Sequence, residues 1–242
     1  MIKYFYVIFM NLFRIPYMIL KMRNHANRPE KYSEVKRYDL VQHVINLVNR
    51  TGWIHTHAHG VENLPKEGGY VMYPNHQGKY DALGIITTHK EPCSFIIDKE
   101  RSHMPILSEI VDLVQGKRMD TNDVRQAMTI INDVSGEVKE GRKYIIFPEG
   151  GYDKNKKNTL GLFKPGSFKC AVKAMAPIVP VALIDSYKVF NSTTIGKVAT
   201  HVHFLKPLYY DEYKGLRTVD IAEMVKARIG EVLDKYSFAQ SC

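Results

Sequence analysis

A histidine with a carboxylate held against it is a proton-transfer pair. The carboxylate selects one imidazole tautomer and stabilises the imidazolium formed when the other nitrogen takes a proton. The segment Tyr73-Pro74-Asn75-His76-Gln77-Gly78-Lys79-Tyr80-Asp81 offers such a pair in His76 and Asp81. Their spacing sets a condition. Five residues apart on one continuous helix, the two side chains point about 140° away from each other. They meet only if His76 lies in a turn and Asp81 has already entered the helix that follows. Gly78 and the strand-like run before the turn favour that arrangement. In a chain with 10 histidines, a His-x4-Asp pair arises easily by accident, so the pair needs companions.

Two other segments supply them. Ile145-Ile146-Phe147-Pro148-Glu149-Gly150-Gly151 is an apolar strand ending in proline, a carboxylate and two glycines. Such a turn brings backbone N–H groups and Glu149 toward a bound headgroup. Ile178-Val179-Pro180-Val181-Ala182-Leu183 is an apolar strand with an internal proline. The missing N–H predicts an edge strand or a strand start.

Alternating strands and helices must carry these segments. β-rich runs fall at Trp53–His57, Tyr70–Tyr73, Ser94–Ile97, Tyr144–Phe147, Ile178–Leu183 and His201–Phe204. Helical spacing runs from Asp123 to Lys139, through Val124, Ala127, Met128, Ile131 and Val134, and from Val219 to Lys235 with Thr218 as cap. The alternation predicts an α/β fold, a mixed sheet covered by helices. The 242 residues, 45% hydrophobic and 24% charged, suit one large core and exclude a disordered or collagen-like chain. Cys93, Cys170 and Cys242 are too few and scattered for a disulfide framework or a zinc site, so a reducing setting is expected. The net charge of +9 favours anionic partners: phospholipid headgroups, nucleic acid or an acidic carrier protein. No nucleic-acid-binding motif accompanies it, and no nucleic acid is expected.

Residues 4–20 are nearly all apolar, broken by Asn11, Arg14 and Pro16. No small-residue cleavage site follows, so a cleaved signal is not expected. The run is short for a spanning helix and carries an arginine. On a helical wheel Lys3, Arg14 and Lys21 fall within about 20°, with Asn11 about 60° further round. One polar stripe on an apolar cylinder suits a helix lying in the membrane interface, with Arg23 and Arg28 adding charge downstream. A buried core helix and a spanning helix are the alternatives, and Pro16 kinks or ends any straight version. A second helix follows, capped by Ser33 and ending before Gly52. Residues 1–51 thus read as a membrane-docking helical hairpin ahead of a catalytic domain at 52–242.

Taken in order, Asn75-His76-x4-Asp81, Phe147-Pro148-Glu149-Gly150 and Val179-Pro180-Val181 resemble the motif series of the glycerolipid acyltransferase family, and within it the bacterial 1-acyl-sn-glycerol-3-phosphate acyltransferases. Gly60-Val61-Glu62-Asn63-Leu64-Pro65 is similar too, and the likeness spans roughly residues 55–205. It implies transfer of a fatty acyl group from a thioester to the sn-2 hydroxyl of lysophosphatidic acid, giving phosphatidic acid. The co-substrate would be an acyl-carrier-protein or coenzyme A thioester, with no cofactor. It implies His76 as the base for direct attack on the thioester, Asp81 as its orienter, and Glu149 and Gly150 as substrate-binding residues. No serine or cysteine nucleophile stands beside His76, in keeping with direct attack. Lys99, after Phe95-Ile96-Ile97-Asp98, matches a lysine that would meet the phosphate; a solvated lysine is the alternative.

This chain also departs from the family pattern. The second motif usually carries Asp-Arg; here Lys117-Arg118-Met119-Asp120-Thr121 has Thr121 in the arginine position, and Arg118 is the candidate to supply the charge. After Gly150, Thr-Arg-Ser is replaced by Gly151-Tyr152-Asp153, with Lys164 as a candidate compensation. These departures leave room for another lysophospholipid or glycerol-3-phosphate as acceptor. In a different class, they leave room for a non-catalytic membrane-surface binding protein.

His55, His57 and His59 alternate and share one strand face. With only Glu62 nearby as a further ligand, they read as an exposed polar face, and no metal is expected. Lys154, Lys156 and Lys157 form a basic loop, either solvated or facing anionic lipid or an acidic carrier. The expected location is the cytoplasmic face of the cell membrane, as a peripheral or monotopic protein.

Overall fold

The structure, a computed structural model, describes residues 2–153, 155, 157–191 and 195–241, with side chains as far as residue 238. Lys154, Lys156 and Cys242 lie outside the described residues. Every β-rich run forms a strand: β1 (Ile54–His59), β2 (Tyr70–Pro74), β3 (Cys93–Asp98), β5 (Lys143–Ile145), β6 (Ile178–Ile184) and β7 (Val198–Phe204). A further strand, β4 (Lys117–Met119), is three residues long with two cations, so it carries no apolar signal. The helices are α1 (Ile2–Met10), α2 (Ile15–Ala26), α3 (Glu34–Thr51), α4 (Asp81–Thr88), α5 (Leu107–Leu113), α6 (Val124–Lys139), α7 (Lys169–Ala174), α8 (Lys188–Asn191), α9 (Tyr210–Tyr213) and α10 (Thr218–Ser241). Ser33 caps α3 as expected, its Oγ accepting the Lys36 N–H. Asp123, read as the first helical residue, is instead the cap of α6 and accepts from Arg125 and Gln126, while Thr218, expected as a cap, is the first residue of α10.

The strands form one mixed sheet in the order β1-β7-β6-β2-β5-β3-β4. β6, β2, β5, β3 and β4 run parallel; β7 is antiparallel to β6, and β1 runs parallel to β7. β6 is therefore central, contrary to the expectation drawn from Pro180. The proline is tolerated because its carbonyl accepts the Leu205 N–H just where β7 ends. Its missing donor faces the end of that ladder and interrupts no regular pairing.

Alternate strand residues feed two apolar layers. Met72, Phe95, Ile145, Val179, Val181 and Leu183 share a cluster with residues of α3, α4 and α5. Val71, Tyr73, Tyr144, Ile178, Ala182 and Ile184 join residues of α6, α7 and α10. Each fully buried aliphatic side chain contributes about 1.5–3 kcal/mol, so the strand ends that follow are firmly anchored.

The N-terminal run differs from the single rod the wheel assumed. α1 and α2 meet at a bend of 86°, and among the described residues no single helix is long and apolar enough to cross a membrane. Buried Asn11 sits at the break and donates to Val7 O (2.9 Å) and Thr51 Oγ1 (3.0 Å). Pro16 occupies the first turn of α2, where its lack of an N–H is harmless. Lys3 points inward, fully buried, and donates to Gly196 O at 2.5 Å, so the predicted stripe of Lys3, Arg14 and Lys21 does not form. The outward face is apolar instead: Phe5, Phe9, Leu12, Phe13, Tyr17 and Leu20 are exposed, Phe13 at 96%. Met18 and Met22 of α2 join Tyr38, Val41, Val44 and Ile45 of α3 in the same cluster as the sheet. The boundary read at 51/52 falls between elements that share a core.

Candidate active site

The candidate residues gather at the carboxyl ends of the five parallel strands, the edge where open α/β sheets place their ligand crevices. β2 ends at Pro74 and α4 begins at Asp81. His76 thus lies in the turn and Asp81 in the helix, the condition set by their spacing. His76 Nδ1 and Asp81 Oδ2 are 2.7 Å apart. Asp81 is 1% exposed and accepts from four donors. Oδ2 also takes the N–H groups of Gln77 (2.5 Å) and Gly78 (2.9 Å), and Oδ1 takes the Ser186 hydroxyl (2.6 Å). An ionised carboxylate only accepts, so Nδ1 carries the proton and Nε2 keeps its lone pair. The His76 side chain retains 16% exposure, enough to be reached.

The turn is braced from two sides. Asn75 exchanges hydrogen bonds with the Leu183 backbone (3.0 and 2.7 Å). Gln77 donates to Leu183 O and Asn158 Oδ1 (both 2.8 Å) and accepts the Ser186 N–H. Asn158 in turn donates to Asp185. Burial pushes the Asp185 carboxyl up, but Lys188, Asn158 and Tyr236 outweigh it and hold it below its usual range. Asp185 takes a positive φ of 61° at the end of β6, which aims Ser186 back at Asp81. Gln77, Asp185 and Ser186 were missed in the sequence. Their signal is faint, a polar pair directly after an apolar strand.

Glu149 follows β5. Its Oε1 accepts the His76 N–H (2.9 Å) and its Oε2 the Gly161 N–H (3.0 Å). It therefore ties the histidine turn to the segment around Gly161. Gly150 has φ +68°, and a Cβ there would lie 2.5 Å from Lys164 Nζ, so the Lys164 side chain lies against this turn. The amides of His76, Gln77, Gly78, Gly150 and Gly161 are all hydrogen-bonded internally. The His76 ring packs against Phe147 at 4.2 Å and against Tyr152 at 4.8 Å, edge-on. Tyr152 is one of the departures from the family pattern. It carries the Arg101 guanidinium 5.3 Å from its ring centroid, a cation the sequence reading did not single out.

The cations separate into free and committed ones. Lys99 and Arg101 are exposed in the turn after β3, and among the described residues no carboxylate pairs with Arg101. Arg118 is committed: it pairs with Asp112 at 2.7 Å and bonds to Ser102 and Ser108. Alternation along β4 explains this, since Met119 packs toward the α6 layer and Arg118 faces α5. Thr121 is exposed. No thiol takes part among the described residues. Cys93 and Cys170 are buried, and burial pushes both up to about 12. The one set of metal-ligand atoms that converges among the described residues is His59, His201 and His203, on β1 and β7.

The acyltransferase family model matches residues 55–184. The 1-acyl-sn-glycerol-3-phosphate acyltransferase of Borreliella burgdorferi is 32% identical over 162 residues, 64% of this chain and 63% of that protein. The one of Saccharomyces cerevisiae is 26% identical over 188 residues, 74% of this chain and 60% of that protein. The chain thus spans about 60% of the length of such curated relatives. The crystal structure of the 1-acyl-sn-glycerophosphate (LPA) acyltransferase PlsC from Thermotoga maritima superposes with a TM-score of 0.72. That match covers 96% of this chain and 94% of the other at 18% identity, which demonstrates a common fold.

Proposed function

From a chain that belongs to the acyltransferase family, we propose an enzyme that moves a fatty acyl group from a thioester to the sn-2 hydroxyl of lysophosphatidic acid, forming phosphatidic acid. The observation that carries this reading is the His76–Asp81 pair, held by Ser186, Glu149 and the turn's own amides at the carboxyl edge of the sheet. His76 Nε2 takes the hydroxyl proton as the oxygen attacks the thioester carbonyl. The C–S bond then breaks, and the leaving thiolate takes the proton back from the imidazolium. A positioned base of this kind supplies on the order of 10²–10⁴-fold in rate. Asp81 holds the tautomer and stabilises the transient positive charge.

Arg101, with Lys99 beside it, takes the part that Thr121 leaves open, because it stands over Tyr152 against the His76 ring and, among the described residues, pairs with no carboxylate. A guanidinium suits a phosphate monoester through paired N–H donors. The exposed apolar face of α1 and α2 docks the protein on one leaflet, at the cytoplasmic face of the cell membrane.

The test is acceptor selection. Purified protein on mixed vesicles is given lysophosphatidic acid, another lysophospholipid or glycerol-3-phosphate with an acyl thioester, and products are identified by mass spectrometry. Phosphatidic acid from lysophosphatidic acid supports the reading. Product from another acceptor alone replaces it.

A further inference from the structure

β1 and β7 pair in parallel, with His57 opposite His201 and His59 opposite His203. Paired positions share a face, so the register adds two imidazoles to those that alternate along β1. The rings stack. His59 and His203 have centroids 4.2 Å apart at 11°, and His57 and His201 lie 5.2 Å apart. His59 Nε2 is 3.1 Å from His201 Nδ1. One nitrogen from each of His59, His201 and His203 lies within 4.8 Å of the others. His201 and His203 are partly buried, without an ion pair among the described residues. A simple solvated strand face does not call for rings gathered in this way, and the acyl-transfer chemistry does not use them.

We propose that His59, His201 and His203 form a binding site for a divalent late first-row transition ion, with zinc the best fit. Imidazole nitrogens suit zinc, copper and nickel, whereas magnesium and calcium require oxygen ligands. Tetrahedral zinc holds nitrogens at about 2.0–2.1 Å and therefore about 3.3 Å from one another. The His59–His201 pair, at 3.1 Å, is close to that spacing, and His203, whose nitrogen lies within 4.8 Å of both, joins by rotation of its ring out of the stack with His59. His57, stacked on His201, or a water completes the set. The ion requires neutral imidazoles. Burial, reinforced by the neighbouring histidines, disfavours the charged forms of His201 and His203. The ligands come from the edge strand β1 and its neighbour β7, so the ion would clip that edge to the sheet. Binding confined to the folded state raises thermal stability.

The 242-residue chain without an affinity tag is titrated with Zn²⁺ by calorimetry, and its Tm is measured with and without zinc. The expected result is one ion per chain, a Tm rise that EDTA reverses, and nitrogen ligands without sulfur by X-ray absorption. His59→Gln and His201→Gln should each weaken binding by more than about tenfold, the least expected when even an outer-shell partner is lost. His43→Gln, at an exposed position on α3, should bind like the parent. His59 is exposed, so its variant should keep the zinc-free Tm. No saturable binding, affinity unchanged in His59→Gln, or sulfur in the coordination shell would overturn the proposal.

Discussion

Asp81 Oδ2 lies 2.7 Å from His76 Nδ1, and the same oxygen takes the N–H groups of Gln77 and Gly78. One atom therefore fixes both the imidazole tautomer and the shape of the turn that carries it. Asparagine at 81 can still accept at that point and can offer its amide to the Ser186 hydroxyl, so the geometry should survive. The negative charge does not. Asp81→Asn should lose on the order of 10²–10⁴-fold in kcat with little change in Tm. Steady-state kinetics beside a thermal melt checks this, and a loss under tenfold counts against the charge.

Gly161 is a remote handle on the same base. A Cβ at this position would lie 2.2 Å from Glu149 Oε2, so Gly161→Ala must push Glu149 off the N–H groups of His76 and Gly161. Misplacing a reacting group by about 1 Å costs about 100-fold. The expected outcome is a fall of that order in kcat, with the acceptor KM nearly unchanged. Activity close to the parent would mean that Glu149 does not position His76.

Arg101 and Arg118 should behave differently. Arg101→Ala should raise KM for a phosphate-bearing acceptor by about tenfold or more, equivalent to losing one charge-assisted hydrogen bond. Arg118→Ala, which removes the pair with Asp112, should leave KM alone and lower Tm slightly. Reversal of the two effects would return the phosphate to Arg118.

The strands and the α6 and α10 helices were legible because each rests on local pattern, apolar runs and helical spacing. The His76–Asp81 pair was legible only in company with the Phe147–Gly150 and Val179–Val181 segments, since its spacing alone arises by accident. β4 was faint, since three residues with two cations carry no hydrophobic signal. Pro180 misled because its tolerance depends on where β7 ends. The Lys3 stripe failed because the wheel assumes a straight helix, whereas the chain breaks at Asn11 through a contact with Thr51, 40 residues away. Ser186 and Arg101 reach the site through tertiary contacts alone, Ser186 from the end of β6 and Arg101 by way of Tyr152.

The exposed apolar face can be separated from the core by substitution, but not by truncation through residue 22, which would also remove buried Met18 and Met22. Phe9→Asp, Phe13→Asp and Leu20→Asp combined should release the protein from anionic vesicles in a flotation assay while the Tm stays near the parent value. Each of these side chains is at least 67% exposed, so little core packing is lost. Persistent vesicle binding by the triple variant would place the docking surface elsewhere.

The central claim is that His76 is the base of an acyl transfer to lysophosphatidic acid. It is tested by measuring phosphatidic acid formed by the purified parent and by His76→Ala, each with acyl-carrier-protein and coenzyme A thioesters, on the same vesicles and with vesicle binding recorded. The parent should form product with at least one donor, and His76→Ala should lose at least about 100-fold in activity at unchanged vesicle binding. Product formation that survives in His76→Ala, or none from the folded parent with either donor, would contradict it.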